Sequence, residues 1–159
     1  MWKIITLLLF INSFLFSEII TGKVISVTDG DTVKILDSNN ETYKIRLNDI
    51  DAPEKKQAYG TKSKENLANY IAGKTVKVEY DKLDKYKRIL GTIYFEDKNI
   101  NEHQIKDGYA WVYRKYSKNN EYINLERISK NEKKGLWKDE NPIEPWEYRK
   151  MKKWKRNQI

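Results

Sequence analysis

The chain has 159 residues, enough for one domain with a modest core and too few for two. It has no cysteine and one histidine, His103, which excludes disulfides, thiolate metal sites, cysteine nucleophiles and histidine-built metal centres, and leaves carboxylates as the available general bases near neutral pH. With 31 Lys and Arg against 23 Asp and Glu, the formal charge is +8, which favours an anionic partner such as nucleic acid, phosphate or an acidic membrane surface.

The first segment, "MWKIITLLLFINSFLFS", carries one lysine and then an apolar run from Ile4 to Phe16, with the small Ser17 at a plausible cleavage point. It reads as a secretory signal peptide over 1–17, and the run is short of the roughly 18 to 20 apolar residues of a spanning helix. A secreted product follows; the alternative is a chain anchored to the membrane by an uncleaved N-terminus. Next, "GKVISV" and "TVKIL" flank the turn "TDGD", and "TYKIRL" follows the turn "DSNN", which predicts a three-strand meander. A helix is expected from Ser63 to Ala72, with Leu67, Tyr70 and Ile71 at helical spacing and Gly73 as its stop. Two further strands, "TVKVEY" and "ILGTIYF", bring the count to five.

A short second helix is expected to begin at Asn101, with Gln104 in the capping-box position and Ile100 and Ile105 as a hydrophobic staple, and to end at Gly108. "YAWVY" reads as extended, and a third helix should run from Asn120 to Lys134 before Gly135. Three strands, a helix, two strands and a helix give an α+β fold, mainly β: a five-stranded barrel of the oligonucleotide-binding type with about three packed helices. Residues 18–140 form that domain, and 141–159 a basic C-terminal extension, expected as a helix, whose "RKMKKWKR" has six basic residues in eight, with Trp154 among them. This run suits phosphate contacts or a weak contact with an anionic surface, whereas Trp137 and Trp146 read as packing residues.

The stretch "RLNDIDAPE" gathers Arg46 and three carboxylates, Asp49, Asp51 and Glu54, around Pro53. If Thr32–Leu36 and Thr42–Leu47 pair about a turn near Asn39, Asp31 lies opposite Leu47. Asp31, Arg46 and the loop bearing Asp51 and Glu54 then share one end of the sheet. Each segment alone reads as a turn, because Asp and Gly are turn residues. Their convergence beside an arginine suits a hard cation such as calcium, which takes several oxygens in flexible geometry.

"DGDT" at 29–32, "RLNDIDAPE" at 46–54, "AYG" at 58–60, "DKYKR" at 84–88 and "GYAWVY" at 108–113 together resemble the staphylococcal nuclease, or thermonuclease, family, in the same order and at similar spacing from Gly22 to Trp137. The resemblance implies that Asp31 and Asp51 are calcium ligands, with Ala52 supplying a backbone carbonyl. It implies that Glu54 is the general base and that Arg46 and Arg88 grip the phosphate. Lys85, Tyr86 and Tyr116 match the nucleotide pocket, while Asp29 and Asp49 fall to turn and supporting roles. The implied activity is a secreted, calcium-dependent phosphodiesterase, acting as endonuclease or exonuclease on DNA and RNA with low sequence specificity and leaving 3′-phosphate ends. It would work as a monomer with no obligate protein partner. A noncatalytic nucleic-acid-binding barrel is the alternative. One departure from the family pattern bears on the site: Lys87 stands where a glycine often precedes the second arginine.

Overall fold

The computed structural model describes residues 17–158, so the expected leader lies outside the described residues apart from Ser17. Chain order is β1 (Glu18–Asp29), β2 (Thr32–Leu36), β3 (Thr42–Leu47), β4 (Ile50–Asp51), α1 (Gly60–Ile71), β5 (Thr75–Leu83), β6 (Ile89–Phe95) and β7 (Lys98–Asn99). There follow α2 (Ile100–Lys106), β8 (Trp111–Val112), α3 (Asn120–Asn131), a 3₁₀ turn (Gly135–Lys138) and α4 (Pro145–Arg156).

The main sheet runs β3-β2-β1-β5-β6-β7, and a parallel pairing of β3 with β6 closes the five long strands into a barrel. Closure removes the exposed edges that an open sheet of this size would present. Alternation along the strands decides which side chains fill it: Val33, Ile35, Ile45, Leu47, Val78 and Ile93 point inward and are fully buried. Two register shifts in β1, between Val24 and Ser26 and between Val27 and Asp29, bend that strand around the barrel.

The expected α+β barrel with three packed helices and a basic C-terminal helix is the observed architecture, and the β2–β3 register is the one obtained by counting. Thr32 pairs with Arg46, and the Leu47 N–H donates to the Asp31 carbonyl at 2.8 Å. Several element ends differ: β1 and β5 are longer than "GKVISV" and "TVKVEY", running over Glu18–Asp29 and Thr75–Leu83. α1 begins at Gly60, three residues earlier than periodicity suggests, because Tyr59 takes a left-handed φ of 64° and turns the chain directly into the helix. The third helix stops at Asn131, and only Trp111–Val112 of "YAWVY" is strand.

α2 is capped by Asn99 rather than Asn101: the Asn99 side chain accepts from the Glu102 N–H at 3.2 Å and donates to the Glu102 carboxylate at 2.9 Å. This is a side-chain N-cap, reinforced by a side-chain bond to Glu102, two residues upstream of the expected capping box. Gln104 is therefore free for another task. It is fully buried, donates to the carbonyls of Gly30 at 2.6 Å and Ser63 at 3.1 Å, and accepts from Asn66 at 2.6 Å. Ile100 and Ile105 do not form a staple but lie in the core.

Gly30 shows why that bridge is possible. A Cβ there would lie 1.8 Å from the Ser63 hydroxyl and 2.9 Å from the Ala52 side chain, so only glycine lets the β1–β2 turn press against α1 and the loop after β4. Gln104 thus ties the turn before Asp31 to two helices. Replacing it by Ala removes the Gln104 donor from the Gly30 carbonyl and the acceptor of Asn66 and leaves a cavity, so Gln104→Ala should lower unfolding stability by about 2–3 kcal/mol in chemical denaturation. A loss indistinguishable from zero would show that the bridge carries no weight.

Candidate active site

The site lies on the outer face of the barrel, where the β1–β2 turn, the end of β3 and the β4 loop meet. Asp31 follows Gly30 at the mouth of the hairpin, and Asp51 ends β4, which is clamped to β8 by pairing of Asp51 with Trp111. Both carboxylates are buried, at 6% and 1% exposure. Arg46 joins them: its Nη2 lies 3.1 Å from Asp31 Oδ2 and 2.9 Å from Asp51 Oδ1, while its Nη1 donates to the Leu47 and Ile50 carbonyls. The two acids, twenty positions apart in the chain, are thus brought to a single guanidinium nitrogen.

Ala52 takes part through its backbone, as its N–H donates to Asp31 Oδ2 at 2.7 Å. Asp31 Oδ1 accepts from the Thr32 hydroxyl at 3.0 Å. Glu54 stands at the rim with its side chain 40% exposed, in a loop held down because the Gln57 and Gly60 N–H groups bond back along it. Gly60 is needed there, since a Cβ would fall 2.0 Å from the Glu54 carbonyl. Asp49 is a turn residue with φ of 62°, and its carbonyl accepts from Tyr113.

Arg88 does not touch this cluster. The register Arg46–Leu90 puts residue 88, two before Leu90, on the same outer face as Arg46. Its guanidinium, however, pairs with Asp84 at 2.7 Å, and Asp84 also accepts from the backbone N–H groups of Tyr86 and Arg88. Burial works against the Asp84 charge, but these hydrogen bonds outweigh it and hold the carboxyl below its usual range. Lys87 adopts φ of 60°, the conformation a glycine at that position would supply freely.

Lys85 and Arg88 both lie over the Tyr86 ring, at 5.0 and 5.6 Å, and that tyrosine is 68% exposed. Tyr116, 67% exposed, sits in a different segment, edge-on to Tyr113. Tyr86 and Tyr116 thus each pack against neighbours from their own segment.

Arg149, on α4, enters the site without having been expected there. Its Nη2 binds Asp51 Oδ2 at 2.7 Å, and its Nη1 binds Asp51 Oδ1 at 3.2 Å and Glu54 Oε1 at 2.8 Å. Burial alone would lower the Arg149 pKa, yet the bonds to Asp51 and Glu54 raise it above the ordinary arginine value. The helix is seated by its first turn: Pro145 is buried, Trp146 stacks on Tyr113 at 5.4 Å, and the Tyr148 hydroxyl donates to the Lys56 carbonyl. Just before it, the Ile143 carbonyl accepts from Gln57 at 2.6 Å. The sequence held one signal for this. Trp146 as a packing anchor puts Arg149, three residues on, on the same helix face.

Residues 44–139 match the family described as staphylococcal nuclease homologues. The chain belongs to the staphylococcal nuclease family. It is 43% identical over 154 residues to an uncharacterised endonuclease of Escherichia coli, covering 96% of this chain and 100% of that one. It is 36% identical over 143 residues to a micrococcal nuclease of Shigella flexneri, covering 83% and 82% of the two chains. A staphylococcal-like nuclease of Arabidopsis thaliana shares 39% identity over 111 residues, 70% of this chain and 34% of its own. Membership makes this a nuclease fold with nucleic acid as its substrate class.

Staphylococcal nuclease homologues work with a metal, and the donor set here fits a hard cation. The groups that converge are carboxylate oxygens, and cationic nitrogens already lie between them. Among the described residues no three acidic or histidine side chains close on one point, so the side chains offer two carboxylates, with backbone carbonyl and water to complete a shell.

Burial and the neighbouring Asp31 raise the pKa of Asp29 from 3.8 to about 7, and burial also raises that of Asp51. The folded chain keeps the Asp29 proton to higher pH than the unfolded chain, so unfolding releases it, and stability falls as pH rises from 3.8 to about 7. Asp29→Asn should flatten much of that slope in denaturation curves taken with chelator present. An unchanged slope would remove Asp29 as its source.

Proposed function

We propose that the chain is a secreted, calcium-dependent nuclease that hydrolyses phosphodiester bonds of DNA and RNA with little sequence preference and leaves 3′-phosphate ends. The observation that carries the reading is the joining of Asp31 and Asp51, both buried, at the one nitrogen of Arg46. Burying two acids side by side is costly unless cationic groups hold them. That arrangement suits a place where cations and phosphate exchange.

In this reading Asp31, Asp51 and the Ala52 carbonyl hold calcium, which would supply Lewis-acid stabilisation to a phosphoryl oxygen. Glu54, at the rim, accepts a proton from water as its oxygen bonds to phosphorus; the bond from phosphorus to the 5′-oxygen breaks, and a proton returns to that oxygen. Arg46 and Arg88, on one face, bind the equatorial oxygens, where their planar donors match the charge that builds up. For Arg88 this requires leaving Asp84. Tyr86 and Tyr116 offer exposed rings on which bases stack without regard to identity.

From Lys150 onward the described part of α4 is exposed, bearing Lys150, Lys152, Lys153, Lys155 and Arg156. This basic arm supports contact with polyanions, nucleic acid first. The noncatalytic alternative leaves the buried pair Asp31 and Asp51 without a purpose.

We further propose that residues 1–17 direct export and are removed, leaving a monomer with no obligate partner. No described helix is long and apolar enough to cross a membrane. Mass measurement of the exported product should begin at or near Glu18; an intact N-terminus in the membrane fraction would favour the anchored form.

On single-stranded DNA, Glu54→Gln should retain binding and lose turnover by about 10²–10⁴-fold. Near-normal turnover would reject Glu54 as the base. Excess calcium chelator should stop cleavage by the unmodified chain, and cleavage that persists would reject the metal-assisted reading.

A further inference from the structure

We infer that Arg149 is a third phosphate-binding arginine of the site, parked on Asp51 and Glu54 in the absence of cation and released to the substrate when a divalent cation takes the carboxylates. The inference rests on the proposed calcium-dependent hydrolysis. It adds a residue from α4, which lies outside the matched family segment of 44–139.

Three geometric facts carry it. Arg149 meets both oxygens of Asp51, at 2.7 and 3.2 Å, and one oxygen of Glu54, at 2.8 Å. It therefore covers the oxygens that a cation and an attacking water would need. Next, Arg46 makes the same kind of contact, lying on Asp31 and Asp51. Two guanidiniums thus hold the three acids Asp31, Asp51 and Glu54 from opposite partners, with Asp51 shared. Finally, the Arg149 side chain is 40% exposed while that of Arg46 is 11% exposed, so Arg149 is the one that opens toward solvent and substrate.

Charge counting gives the direction of the exchange. Three carboxylates against two guanidiniums leave the cluster one unit negative, which repels a phosphodiester. Adding a divalent cation turns the balance to one unit positive. A cation on Asp51 competes with Arg149 for the same oxygens, and the guanidinium then has a bidentate acceptor to move to in the incoming phosphate. The seat does not depend on the ion pair: Trp146 on Tyr113, Tyr148 on Lys56 and Gln57 on Ile143 hold the first turns of α4 and the chain before it. Arg149 can swing while its helix stays docked.

The test compares the full chain with Arg149→Ala and Arg149→Lys, after confirming equal thermal melting for the folded forms. In calorimetric titration with calcium chloride alone, Arg149→Ala should bind calcium about three- to tenfold more tightly, because a competitor is gone. On single-stranded DNA at saturating calcium, kcat/KM of the same variant should fall about ten- to a hundredfold, the effect of one charged hydrogen-bonding group. Arg149→Lys should recover only part of that loss, since a point charge cannot replace the fork.

Unchanged calcium affinity would overturn the competition. Tighter calcium binding with undiminished kcat/KM would make Arg149 a cover only and overturn the phosphate role. If the unmodified chain neither binds calcium nor cleaves, it is the underlying nuclease reading that fails. A variant that melts early is replaced by Arg149→Gln, which keeps the side-chain length, and the same outcomes apply.

Discussion

Everything at the site follows from the need to keep Asp31 and Asp51 close together and out of water. Two buried carboxylates repel, and their charges are tolerated only because guanidinium nitrogens lie within 3.1 Å. That demand reaches far into the fold. Gly30 has no side chain so that the turn before Asp31 can touch α1, Gln104 is buried to pin that turn, and β8 exists as two residues that clamp Asp51. The barrel supplies rigidity, and the acids use it.

The parts of this arrangement that depend on local spacing were readable in the chain. Hairpin register follows from counting across a turn, so the meeting of Asp31 with Leu47, and hence with Arg46, is legible in the spacing alone. The cap of α2 could not, because both Asn99 and Asn101 are followed three residues later by Glu or Gln. The tie is broken by tertiary burial of Gln104, which has no local signature. Arg149 was hidden for a related reason. In a run of basic residues every side chain looks solvated, and only the docking of Trp146 singles out the one that turns inward. Motif order points to Arg88, but it carries no sign of the partner the side chain rests on, Asp84, four residues back in the same loop.

The site is also assembled from widely separated pieces of chain. Its acids come from 31 to 54, its clamp from 111, and its outer arginine from 149. A barrel alone would therefore present an incomplete cluster, and the last helix is part of the working surface as well as a basic arm. Half of α4 is packed and half projects, so one helix serves both the carboxylates and the solvent. This is economical for a small chain with little core to spare.

The aromatic seat of α4 has an optical consequence. Trp111, Trp137 and Trp146 form one contiguous group, with ring centroids 4.3 and 6.0 Å from Trp111, and Lys130 lies over two of the rings. The indole nitrogens of Trp111 and Trp137 are buried without a hydrogen-bond partner. These chromophores sit between the barrel and the last helix, whereas Trp154 is 62% exposed and contributes a solvent-like background. Among the described residues, the tryptophans shielded from water are therefore those of the junction itself. The molecule carries its own spectroscopic reporter, Trp111 pairing across the strands with Asp51 and Trp146 lying three residues before Arg149.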